Sequence, residues 1–143
     1  MPQGTRQMAM KAADWRLLLI VALAQVMIAA ALRVMPPSAL RAGTARFRRL
    51  AQLVGHGSQE RIIWAIEAAG RRLRGISTCL VRAFVAELLL GSPARPLCLT
   101  IGVRRAANGI LECHAWVADE DRVLIGATSD EFVPVLQWST LSV

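Results

Sequence analysis

The chain of 143 residues contains no tyrosine and only 3 phenylalanines. An aromatic platform on which single-stranded nucleic acid could stack is therefore poorly supplied, and nucleic-acid binding is not expected. Lysine is nearly absent too: Lys11 stands alone, and arginine carries the rest of a basic excess of 17 residues over 10 acidic ones, a net charge of +7. The arginines are scattered, at Arg46, Arg48 and Arg49, at Arg71, Arg72 and Arg74, and at Arg104 and Arg105. That leaves an acidic or flexible peptide, or an anionic surface, as the partner class for the charge. Cysteine is sparse and odd in number, Cys79, Cys98 and Cys113, which argues against a disulfide framework and for a reducing cytoplasm. There is no CxxC pair, and the two histidines, His56 and His114, lie far apart, so no metal site is expected. Nor is there a glycine-rich phosphate loop, so no nucleotide cofactor is expected on this chain. No internal repeat and no low-complexity tract is present.

What is present is apolar. Hydrophobic residues make up 55% of the chain and charged ones 19%, which excludes disorder and fits one domain with a core of its own. The run Leu17–Leu32 holds a single polar residue, Gln25, between Arg16 and Arg33. It falls short of the roughly 20 residues that span a bilayer. Lys11 ahead of it and the small residues Ala29 to Ala31 allow a signal-peptide or anchor reading; Asp14 and Trp15 at its start speak against one. The plainer expectation is a long buried helix, with membrane contact through 17–32 left open and a cytoplasmic location.

Residues 1–13 read as a loose tail. A helix is predicted over 14–34, stopped by Pro36 and Pro37. A second helix should start at Ser38 as N-cap, and a third should run over 59–73 with Ile62, Ile66, Ala69 and Leu73 on one stripe. Ser77 and Thr78 precede a fourth, Cys79 to Leu90, closed by Gly91 and Pro93. After Pro96 the period changes to that of strands: 97–103, a hairpin at Asn108-Gly109, then 111–117, a turn at Asp119 to Asp121, 122–125, and an edge strand over 132–136. Helices first and an antiparallel sheet after them make an α+β fold. The division expected is an N-terminal helical region, 1–74, and a core of central helix and sheet, 75–143, in one compact unit.

Cys79 opens a helix. A thiol there meets the positive end of the helix dipole and unpaired backbone N–H groups, which favour its thiolate and can hold an oxyanion. Most free cysteines are only small buried hydrophobes, and that plainer reading is taken for Cys98 and Cys113. On the strand 111–117, alternation sets Glu112, His114 and Trp116 on one face and Leu111, Cys113, Ala115 and Val117 toward the core. His114 thus shares its face with a carboxylate and an indole, as a cleft wall would. A thiol at a helix start and a histidine on a later strand are two parts of a thiol protease, weak without further support. His56, in a glycine-rich loop, and the Arg104–Arg105 pair read as solvated. Trp116 reads as a packed sheet tryptophan that could line a groove.

Support comes from four blocks in order: Arg72 to Ala83, containing Thr78-Cys79-Leu80-Val81-Arg82; Leu99 to Arg105; Cys113-His114-Ala115-Trp116-Val117; and Arg122 to Gly126. Together they resemble the leader peptidase of lasso-peptide biosynthesis, the protease half of the split B protein, within the transglutaminase-like superfamily. The resemblance runs from about Trp15 to Leu136. It implies a transglutaminase- or papain-like core, Cys79 as nucleophile and His114 as its base. The implied activity is removal of the leader from a ribosomally made precursor. The domain takes up the whole chain, so the resemblance also implies a separate leader-recognition protein and an ATP-using lasso cyclase as partners.

The third catalytic member does not carry over. The family commonly places an aspartate twelve residues past the histidine, where this chain has Gly126. Asp119, Asp121, Asp130, Glu112 or a backbone carbonyl could orient His114, and the choice stays open here. Two other functions also remain open: a catalytically weak or inactive, membrane-associated interaction subunit, and an enzyme of amide transfer on the same fold.

Overall fold

A computed structural model describes residues 10–140; most of the expected N-terminal tail, 1–9, lies outside the described residues. Four helices precede a four-stranded sheet: α1 (Ala12–Val34), α2 (Pro37–Val54), α3 (Gln59–Arg72), α4 (Cys79–Leu90), β1 (Cys98–Arg105), β2 (Leu111–Asp119), β3 (Arg122–Ile125) and β4 (Val133–Ser139). The fold is α+β, and the sheet is antiparallel throughout in the order β3-β2-β1-β4.

One core joins the helices to the sheet. Val21 of α1, Ile66 of α3, Phe84 and Val85 of α4, and Leu99, Val117 and Ile125 of the strands are all buried in it. The sheet contributes one face, as the alternation predicts. Ala115 and Val117 are buried while Glu112, His114 and Trp116 are only partly so. The core ends before the start of β2: Leu111 and Cys113, on the same face, are exposed. Cys113 is therefore not the core residue expected of it, because the buried cluster reaches along β2 only from Ala115 onward.

Local chemistry sets the element boundaries. Pro37 takes the first position of α2, where its missing N–H is not needed, and Pro36 is the cap; Ser38, expected as the cap, sits inside the first turn. Ser58 caps α3 by accepting the Arg61 N–H at 3.4 Å. The β1–β2 hairpin closes where predicted, with Gly109 at φ +83°, and Ala106 donates to the Ile110 carbonyl at 2.8 Å. β4 pairs only with β1 and forms the sheet edge, three residues longer at its end than expected.

Polar side chains bind the helices together. Gln25, fully buried, donates to the Ile66 carbonyl at 2.9 Å, and the buried Asp14 is paired with Arg61. Glu87 of α4 is buried against Arg48, at 3.3 Å, and Arg41, at 3.9 Å, both from α2. Gln52 of α2 reaches the carbonyls of Leu88 and Gly91 at 3.2 and 2.7 Å. α2 thus meets α4 mainly through polar side chains, and Leu40 is its one buried residue.

Candidate active site

Cys79 is the first residue of α4. Thr78 has the extended backbone of a cap, and its Oγ1 accepts the Val81 N–H at 3.3 Å. This leaves the N–H groups at the start of the helix without intrahelical acceptors, beside a thiol that is partly exposed and packed at the margin of the core. One turn on, the Arg82 guanidinium is engaged by Glu67 at 2.9 Å.

His114 stands on β2 opposite Gly102 of β1. Its Nε2 is 2.7 Å from the carbonyl oxygen of Gly126. A carbonyl only accepts, so the ring nitrogen there is the N–H, and in the neutral ring Nδ1 carries the lone pair. Two aromatic rings pack against the imidazole. Trp116 stacks on it with centroids 6.1 Å apart and planes 23° apart, and Phe132 lies 5.2 Å away. Arg104 covers Phe132 at 5.1 Å from its centroid and is itself held by Glu112 at 2.6 Å and Asp130 at 2.8 Å. The hydrogen bond to Glu112 holds the guanidinium in its charged form and raises its pKa above the ordinary arginine value. Trp116, Gly126, Phe132 and Pro134 line a cleft of about 500 Å³, with Asp130 and Glu131 among its walls.

Three of the four acidic candidates for orienting His114 are engaged elsewhere. Asp130 and Glu112 hold Arg104, and Asp119 pairs with Arg95 at 2.5 Å. The group that meets the imidazole is the backbone carbonyl of Gly126, at the place where the sequence lacks an aspartate. No hydrogen bond joins Cys79 to His114. The thiol packs at the core margin, and alternation along β2 sets the imidazole on the face opposite the buried Ala115 and Val117.

A match to a family model decides the relationship. The model described as transglutaminase-like superfamily matches residues 22–137. The chain belongs to the transglutaminase-like superfamily. No curated protein and no solved structure matches it. Members of this superfamily include cysteine proteases and amide-transfer enzymes and commonly use a Cys-His-Asp set. Measured against that set, this superfamily member offers a thiol at a helix start and a strand histidine, with a carbonyl at the third place.

Three parts of the His114 environment were not singled out from the sequence. Phe132 was read only as the start of an edge strand. Arg104 reads as solvated from the sequence and is instead packed over that ring, held there by Asp130. Gly102 carried a usable signal, since a glycine inside a strand marks a close approach. A Cβ built there lies 2.9 Å from Trp116 and Phe132 side-chain atoms.

Proposed function

We propose that this protein is a cysteine endopeptidase that removes the leader from a ribosomally synthesised lasso-peptide precursor. The observation that carries the reading is the placement of Cys79 as the first residue of a capped helix in a transglutaminase-like chain. The Cys79 thiolate attacks the scissile carbonyl, and the N–H groups at the start of α4 receive the oxyanion. His114 takes the thiol proton on Nδ1 and returns it to the leaving amine. The Gly126 carbonyl keeps the other proton on Nε2 and so maintains the tautomer the step needs. Unlike a carboxylate it adds no full charge to stabilise the imidazolium, and the cost falls on the rate.

This reading requires the sheet to rearrange when substrate binds, since His114 stands on the face of β2 opposite the core at whose margin Cys79 packs. A separate leader-recognition protein delivers the precursor, and an ATP-dependent cyclase takes the freed core peptide. The test is cleavage of a candidate precursor with its leader-binding partner present, by the wild type, Cys79→Ala and His114→Ala.

A second reading is favoured by the absence of a Cys79–His114 hydrogen bond together with glycine at position 126. In it the fold is kept as a non-catalytic interaction subunit that holds the precursor. A folded wild type that binds the leader complex and never cuts it would establish that reading over the first.

A further inference from the structure

α2 has its polarity reversed. Its polar side chains Arg41, Arg48 and Gln52 turn inward to Glu87 and to the carbonyls at the end of α4. Its apolar ones turn outward: Phe47 is 63% exposed, Leu50 61% and Leu53 74%. α1 continues the pattern. Leu17, Leu18, Val21 and Ile28 are buried, yet Trp15, Leu19, Leu23 and Met27, successive at i, i+4 spacing, are exposed. The two helices adjoin, since Val54 lines a cavity with Ala12, Arg16 and Leu17, and Ile20 lies against Gly55. Half of the large apolar side chains exposed among the described residues belong to this pair.

The exposed charge on these two helices has one sign. From Trp15 to Gln59 the chain has no acidic residue, while Arg16, Arg33, Arg46 and Arg49 are all exposed. We infer that the outer face of the α1–α2 pair docks the protein on an anionic lipid bilayer, lying in the interface without crossing it. Apolar side chains enter the headgroup boundary and the surrounding arginines meet acidic headgroups. An anionic bilayer complements both features of the face at once.

α1 is long and apolar enough to cross a membrane by length and composition, but its other face is committed to the protein. Removing it from the domain would strip Val21 from the core, leave the Ile66 carbonyl without Gln25, and part Asp14 from Arg61. Asp14 and Gln25 would themselves be costly in hydrocarbon.

The test is sedimentation of the full chain with vesicles, of phosphatidylcholine alone and with about a third phosphatidylglycerol, at low and high salt. The inference expects capture by the anionic vesicles, weakened by salt, and release by alkaline carbonate. Arg46→Gln with Arg49→Gln should weaken binding about tenfold or more. Leu23→Glu with Phe47→Glu should abolish it while an unchanged melting curve shows the fold intact. No capture of folded protein by anionic vesicles overturns the inference. So does a dimer that Leu23→Glu with Phe47→Glu splits into monomers while neither vesicle binds, which would make the face a contact between copies. Resistance to carbonate overturns the non-spanning geometry. Cys79→Ala should bind like the wild type, so this test and the cleavage test fail independently.

Discussion

The Nε2 of His114 lies 2.7 Å from the carbonyl oxygen of Gly126, and the backbone at Gly126 is one that only glycine holds easily, with φ +83°. A Cβ there would stand 2.6 Å from the Ala115 carbonyl oxygen. Gly126→Ala should therefore cost about 2 kcal/mol or more of stability and move the carbonyl off the imidazole. Gly126→Asp, which restores the superfamily's usual residue type, should not restore its geometry. Denaturant unfolding, with the His114 ring resonances followed by NMR, checks both. An Asp variant as stable as wild type with unchanged His114 ring resonances would contradict the account.

Reactivity separates an activated thiol from an accessible one. Cys113 is exposed and Cys79 is only partly so, so access alone predicts faster alkylation of Cys113. The helix terminus predicts the reverse. Iodoacetamide labelling near neutral pH, read by peptide mass spectrometry, should modify Cys79 first. Faster labelling of Cys113 would return Cys79 to a packing role.

The fold was largely legible, for reasons that can be named. Thr78 and Cys79 mark a helix start, Asn108-Gly109 a hairpin, and Ala115 and Val117 the buried side of β2. These are local signals. The polarity of α2 was not legible, because its apolar residues look like a core stripe until Glu87 of α4 shows which face is inward. Nor was the partner of His114, since a backbone carbonyl carries no side-chain signature. The cover over Phe132 was hidden for a related reason: Arg104 and Asp130 are far apart in sequence, and only the fold pairs them.

Burial pushes the Glu87 carboxyl above its ordinary value, against the pull of Arg41 and Arg48. A group whose folded pKa is raised binds its proton more tightly in the native state than in the unfolded chain. Its contribution to stability is therefore full below the ordinary carboxylate range and is lost as pH rises through the raised value. The stability of Glu87→Gln relative to wild type should improve as pH rises above the ordinary carboxylate range, from about pH 4 upward. A difference in unfolding free energy that is flat, or slopes the other way, would mean that the two arginines outweigh desolvation.

Gly102 makes room for the clamp on His114. Gly102→Ala should cost about 1–3 kcal/mol through overpacking against Trp116 and Phe132, and should loosen the imidazole. Broadened His114 ring resonances together with a lowered melting temperature are the expected result. Unchanged resonances would show that the rings are not what holds the histidine.

The most direct measurement is single-site cleavage of the precursor in the presence of its leader-binding partner, followed by mass spectrometry. The account predicts one cut by the wild type, and none by folded Cys79→Ala or His114→Ala. A wild type that binds the delivered leader and leaves it whole, or a Cys79→Ala variant that still cuts, would contradict it.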